Sequence, residues 1–148
     1  MSLQTDIIFI RALNANQQLI SQLPAGGVYS TSIPVPDEAL LNADVPYIIV
    51  SFDGLQNEDS TKDDSYEGED DRVQIGIEVV AQTRQQLGLL TTEVRRTIRE
   101  FFESIDSSDE DYDLVPLDYT FTAQAVIYDP DKPSYGQVLN YTCDTHVD

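Results

Sequence analysis

Between Arg72 and Ile105 the hydrophobic period changes from two residues to three or four with almost no linker, which limits the folds open to the chain. Val73, Ile75, Ile77, Val79 and Ala81 fall on one side of an alternation whose other side holds Arg72, Gln74, Glu78 and Gln82. That is the pattern of a strand with one buried face. From Arg84 onward Leu87, Leu90, Val94, Ile98, Phe101 and Ile105 recur at steps that stack them on one face of a helix. The unit holds no catalytic motif, so function has to be sought in charge and architecture.

The flanking sequence supplies the remaining layers. Thr5 is placed to cap a first helix running to about Gln22, with Asp6 at the positive end of its dipole and Ile8, Ala12, Ala15, Leu19 and Leu23 on one face. Pro24, Gly26 and Gly27 end it, and Val28 to Ser30 reads as a short strand. Pro34 and Pro36 hold the next segment extended, and Asp37 to Asn42 suits one helical turn. Pro46 opens the run Tyr47, Ile48, Ile49, Val50, which lacks alternation and is expected to be a central strand covered on both faces. Late in the chain Tyr119, Phe121, Ala123, Ala125 and Ile127 alternate with Thr120, Thr122 and Gln124. After a turn at Asp129 to Pro133, Tyr135, Leu139, Tyr141 and Cys143 alternate with Gly136, Asn140, Thr142 and Asp144, which predicts an antiparallel hairpin. The order helix, strand, strand, strand, helix, strand, strand predicts one α+β domain over residues 1–148. Its sheet is expected to be mixed, mostly antiparallel and of about five strands, with two helices packed against it.

Charge narrows the partners. There are 27 acidic and 8 basic residues, a net charge of −19. Such a chain repels nucleic acid and anionic membranes, because the phosphate term in both kinds of binding is unfavourable. Basic surfaces, cations or further copies of the chain are its natural partners, and solubility alone would also account for the acidity. The distribution is uneven. From Asp53 to Asp71, Asp53, Glu58, Asp59, Asp63, Asp64, Glu67, Glu69, Asp70 and Asp71 are opposed only by Lys62, so a long acidic loop or hairpin tip is expected there. A second acidic run, Asp106 to Asp113, ends the later helix. That helix carries Arg95, Arg96 and Arg99, with Arg96 and Glu100, and Arg99 and Glu103, spaced for weak surface pairs of about 0.3 kcal/mol each.

Tests for chemistry return little. The single histidine, His146, sits near the end of the chain, and no nucleophile elbow or Gly-rich phosphate loop occurs. Cys143 has no cysteine to pair with and lies in an apolar alternation, as a small buried hydrophobe would. Asp63, Ser65, Glu67 and Gly68 fit the first half of a calcium loop, but its twelfth position is Gln74, which supplies no bidentate carboxylate. Asp109, Asp111 and Asp113 share the spacing without the glycine, and Asn140 to Thr142 matches a glycosylation acceptor that reads better as a strand segment. No catalytic residue, metal site or cofactor is assigned. No run is long and apolar enough for a membrane helix, so a soluble protein is expected.

Several pieces together resemble one family: Gly27, Val28, Tyr29 after a first helix; Val35, Pro36; Pro46, Tyr47, Ile48, Ile49, Val50; an interrupted loop; then the strand from Val73 to Val80 and the helix from Arg84. In order and spacing, about residues 5–102 resemble the tail-completion or tail-terminator proteins of long-tailed phages and prophages. Relatives often carry a tryptophan before the second helix, and this chain has none. The resemblance implies a structural, non-enzymatic protein that caps a tail tube as a ring of usually six copies, meets tail-tube and head-tail connector proteins, and passes from the bacterial cytoplasm into the virion tail. On that reading Asp59, Asp63, Asp64, Glu67, Glu69 and Asp70 face a central channel or an adjacent ring, repelling DNA phosphates in transit, or else lie on a solvated exterior. Arg95, Arg96 and Arg99 are candidates for subunit contacts, or stay in water. The competing expectation is an acidic DNA mimic that occupies the basic groove of a nuclease or repressor.

Overall fold

The computed structural model describes residues 2–24, 28–30, 45–57, 70–109 and 112–146. A 3-10 turn at Ser2–Gln4 leads into helices α1 (Thr5–Ala15) and α2 (Gln17–Ser21). Strands β1 (Val28–Ser30), β2 (Tyr47–Asn57) and β3 (Asp70–Ala81) follow, then helix α3 (Arg84–Ser104). The chain ends in β4 (Asp118–Ala123), β5 (Ile127–Asp129) and β6 (Ser134–His146). The sheet order is β1-β2-β3-β6-β4, with β5 pairing the start of β6. All pairings are antiparallel except that of β1 with β2, so the fold is α+β with a mixed, mostly antiparallel sheet.

The alternation in β3 is realised in full. Val73, Ile75, Ile77 and Val79 are at most 1% exposed, while Arg72, Gln74 and Glu78 face out. Cross-strand neighbours continue the apolar face: Val50 lies opposite Ile77, which lies opposite Leu139, and Ile75 lies opposite Tyr141, which lies opposite Phe121. Helices α1 and α3 pack on this face. The ring of Phe9 on α1 stands 5.1 Å from Tyr141 and 5.3 Å from Phe102 on α3. The change from strand to helix is abrupt because Thr83 caps α3, its side chain accepting the Gln86 N–H at 3.0 Å, while the Gln86 side chain accepts the Gln82 N–H at 2.9 Å.

Several expectations are corrected. The centre of the sheet is β3, not β2, since β3 alone is flanked along its length by β2 and β6. The run at the start of β2 is not covered on both faces: Ile48 and Val50 are buried under the helices, but Tyr47 and Ile49 are only half-buried on the other side. The first helix breaks at Asn16, and Thr5 lies inside its first turn, with Gln4 at the cap position making no side-chain cap bond. Of the loop or hairpin tip expected from Asp53 to Asp71, strands take both ends, as in a hairpin. β2 reaches Asn57 and β3 begins at Asp70, with Asn57 opposite Asp71 and its Nδ2 donating to Asp71 Oδ1 at 2.9 Å. Asp53 is the extra residue of a bulge, since Phe52 faces Ile75 and Gly54 already faces Gln74. The bulge folds the Asp53 carboxylate over Gly76, where a Cβ would collide with it and come within 2.9 Å of Ser51 Oγ.

The predicted strand from Tyr119 to Ile127 is two strands. Ala123 pairs with Leu139 and Ile127 with Gly136, which leaves one more residue on the β4–β5 side than on β6. One extra residue reverses the facing of everything beyond it. Val126 therefore packs on the core, while Ala125 and Ile127 are exposed. The helical turn expected at Asp37 to Asn42 lies outside the described residues.

The buried face makes a contrast that chemical denaturation can check. Ile77→Ala should destabilise by about 2–5 kcal/mol through lost transfer energy and a cavity. Tyr141→Phe should be neutral or stabilising, because the Tyr141 hydroxyl is buried with no hydrogen-bond partner among the described residues and its removal ends a desolvation cost of roughly 1–3 kcal/mol.

Candidate interaction surface

Asp59, Asp63, Asp64, Glu67 and Glu69 lie outside the described residues, as does the partial calcium motif up to Gly68. Asp70 opens β3, opposite His146 at the end of β6. Around this end of the sheet the register gathers carboxylates that are far apart in the chain. Asp71 and Arg72 lie on β3 opposite Thr145 and Asp144, and Asp144 in turn lies opposite Asp118, the first residue of β4. Arg72 answers Asp144 with an Nε to Oδ1 contact of 3.5 Å. The chain after α3 returns to the same end, where the Leu117 N–H donates to the Asp144 carbonyl at 2.8 Å. Asp118 and Asp144 were not singled out in the sequence, and no local signal marks them, because only strand register brings them beside the ends of β2 and β3.

The second acidic run is built as a helix stop. Asp106 Oδ1 accepts the Ser108 N–H at 2.9 Å and the Ser108 hydroxyl, and Asp109 Oδ2 accepts the Asp106 N–H at 2.8 Å. The Ser108 bonds hold the Asp106 carboxyl below the usual carboxylate range. These are local turn bonds of the kind aspartate makes after helices.

The three arginines do not form one patch. Arg96 is held within the chain: its Nη1 donates to Glu100 Oε2 at 2.9 Å, its Nε donates to Glu93 Oε2 at 3.1 Å, and its Nη2 also reaches Glu93. The Arg96 guanidinium is the main reason the Glu93 carboxyl titrates below its usual range. Asn16 joins this cluster by donating to Glu93 Oε1 and Thr97 Oγ1, both at 2.8 Å, while its own Oδ1 accepts the Leu19 N–H at 3.2 Å and caps α2. The break in the first helix is thus the point where it is tied to α3. Arg95 turns the other way and lies over the Phe121 ring of β4, 4.2 Å from its centroid. Arg99, one turn later, makes no ion pair within the described residues, and the expected pair with Glu103 is not formed. Burial pushes the Tyr119 phenol up, Glu103 adds to that, and the charges of Arg99 and Arg95 oppose it. Arg95 therefore stacks on β4, which ends the sheet order among the described residues.

Cys143 is fully buried as expected, and burial, followed by the charge of Asp144, pushes its thiol up to about 12. A thiol in that state is a poor nucleophile at neutral pH. Among the described residues no helix is long and apolar enough to cross a membrane. Compared with known proteins, the sequence matches no family model and no curated protein.

Two measurements check this description. Asn16→Ala should cost about 1–2 kcal/mol in a denaturant titration, since it removes a helix cap and leaves Thr97 and Glu93 short of a donor. For Cys143 the folded-state value lies above the ordinary 9.0, so its contribution is fully present below about pH 9 and is lost as pH rises toward about 12. Stability of the native chain should fall over that window, less steeply in Cys143→Ala, and a disulfide reagent at pH 8 should label the thiol only on unfolding.

Proposed function

We propose that this chain is a structural component of a phage or prophage tail, closing the tail tube as a ring of six copies and taking part in head-tail joining. The observation that carries the reading is the joining of a family-like element order to an acidic sheet end. First helix, short strand, Pro46-led strand, acid-tipped hairpin and second helix follow one another as in tail terminators, and Asp70, Asp71, Asp118 and Asp144 surround the strand ends from which the acidic segment departs. In the proposed ring that end, with Asp59, Asp63, Asp64, Glu67 and Glu69, faces the channel or the adjacent ring. Carboxylates there keep DNA phosphates from binding the wall, so transit stays fast. The role is positional rather than catalytic. The chain acts on the tail tube and connector proteins in the bacterial cytoplasm during assembly, and then remains in the virion.

Negative-stain images of purified tail tubes mixed with the protein test this reading. Stain-excluding caps at one end of the tubes are expected, and tube ends that stay bare at excess protein overturn it. Neutralising Asp59, Asp63, Asp64, Glu67, Glu69 and Asp70 to Asn or Gln should leave capping intact while slowing DNA passage through reconstituted particles. Bare tubes together with tight binding to a basic DNA-handling protein would support DNA mimicry instead.

A further inference from the structure

A glycine inside a strand weakens it and often marks a place where backbone or ligand comes close. Nothing in the packing of β6 requires one at Gly136. A Cβ built there would meet Val80 Cγ2 at 3.8 Å, the Val79 carbonyl at 3.9 Å and the Ile127 carbonyl at 4.0 Å, which is ordinary van der Waals contact, and its φ lies outside the left-handed region. Strand register shows what the missing side chain leaves behind. Tyr47, Val80, Gly136 and Ile127 lie opposite one another in that order across β2, β3, β6 and β5, on the sheet face turned away from α1 and α3. Gly136 is the gap in this row.

Together with Val80 and Val138 the gap floors a cavity of about 280 Å³. The extra residue between Ala123 and Ile127 builds its wall, because it turns Ile127 and Asp129 toward this face. Gln137 braces the bulged chain, its Nε2 donating to the Gln124 carbonyl at 3.0 Å. Ligand cavities run from roughly 300 to 1,000 Å³, so this one suits a single side chain or a comparably small molecule. Its charges are not balanced. Lys132 Nζ lies 5.1 Å from the Tyr47 ring centroid, and Asp129 Oδ1 accepts the Asp131 N–H at 3.0 Å and the Lys132 N–H at 3.4 Å within the turn. Glu78, which lines the cavity opposite Val138, forms no hydrogen bond or ion pair among the described residues. An aliphatic floor beside a carboxylate without a counter-charge, in a chain of net charge −19, selects a cation that carries an aliphatic stem.

We propose that this cavity binds an ammonium or guanidinium group on an aliphatic stem, the chemistry of a lysine or arginine side chain of a partner protein or of a free alkylamine. The stem lies over Gly136 between Val80 and Val138, and the cation meets Glu78. Lys132, at the Tyr47 end, repels the incoming charge from the ring and leaves Glu78 as its partner. Such binding is independent of the tail reading.

Amide-resolved NMR titrations of the full chain test this with N-acetyl-lysine methylamide, N-acetyl-arginine methylamide, butylamine and, as the anionic counterpart, butyrate. Saturable shifts of the Gly136, Val138 and Lys132 amides are expected with the cations and not with butyrate. Gly136→Val fills the hollow with a residue that strands favour, and should abolish these shifts while leaving the melting curve in place or raising it. Glu78→Gln should weaken binding about tenfold, and Lys132→Met should tighten it several-fold. The proposal is overturned if no cation gives saturable shifts, or if the shifts spread over the acidic surface and survive Gly136→Val. It is equally overturned if both charge variants act with the opposite sign and butyrate is the better ligand, which marks an anion site. If Gly136→Val fails to fold, the opposed signs of Glu78→Gln and Lys132→Met decide. Saturation by the blocked amino acids as well as by butylamine supports a partner protein's side chain as the source, and saturation by butylamine alone supports a free amine.

Discussion

Every layer of this protein packs against the row of aliphatic side chains on one face of β3. Ile77 touches the rows of β2 and β6 on either side through Val50 and Leu139, and Ile75 does the same through Phe52 and Tyr141. Because the central strand is flanked on both edges along its length, its backbone groups are satisfied within the sheet, and its buried face can be wholly apolar at no polar cost. α1 and α3 then need only present apolar stripes, and they meet over Tyr141, where Phe9, Tyr119 and Phe121 all lie within 5.7 Å between ring centroids. Such offset and edge contacts add roughly 0.5–1.5 kcal/mol per pair beyond area burial, which makes this cluster the place where both helices and both C-terminal strands are locked together.

Polar groups inside that assembly are few, and they mark its joints. Asn16 interrupts the first helix, yet the interruption is used: one side chain caps the second segment and bonds to Glu93 and Thr97 across the helix interface. The Tyr141 hydroxyl and Asp6 Oδ2 are buried without partners among the described residues. For Tyr141 the ring is worth more than its hydroxyl costs, because three other rings depend on it. Nothing in the structure gives a comparable account of Asp6 beyond its place in the first turn of α1, where a carboxylate meets the helix dipole.

The charge asymmetry follows the same geometry. Folding a chain of net charge −19 works against self-repulsion, and the described cations are spent where they relieve it: Arg96 between Glu93 and Glu100, Arg72 against Asp144. Arg95 is different, since it lies over the Phe121 ring, and among the described residues neither it nor Arg99 forms an ion pair.

What the sequence determined by itself is everything that depends on a local period. The strand from Arg72 to Ala81, the helix after it, the short strand at Val28, the turn at Asp129 and the burial of Cys143 were legible because each follows from the spacing of apolar residues or from turn chemistry within a few positions. What only the tertiary structure decided depends on pairing. The length of β2 and β3 was hidden because Asp53, Asn57, Asp70 and Asp71 have loop-like composition, and only a partner strand makes them extended. The flip at Val126 was hidden because one extra residue is invisible until the opposite strand counts it. The gathering of Asp118 and Asp144 with Asp70 and Asp71, and the parting of Arg96 from Arg95 and Arg99, likewise follow from register and helix placement. Those are relations between segments, and a sequence read along one chain carries no term for them.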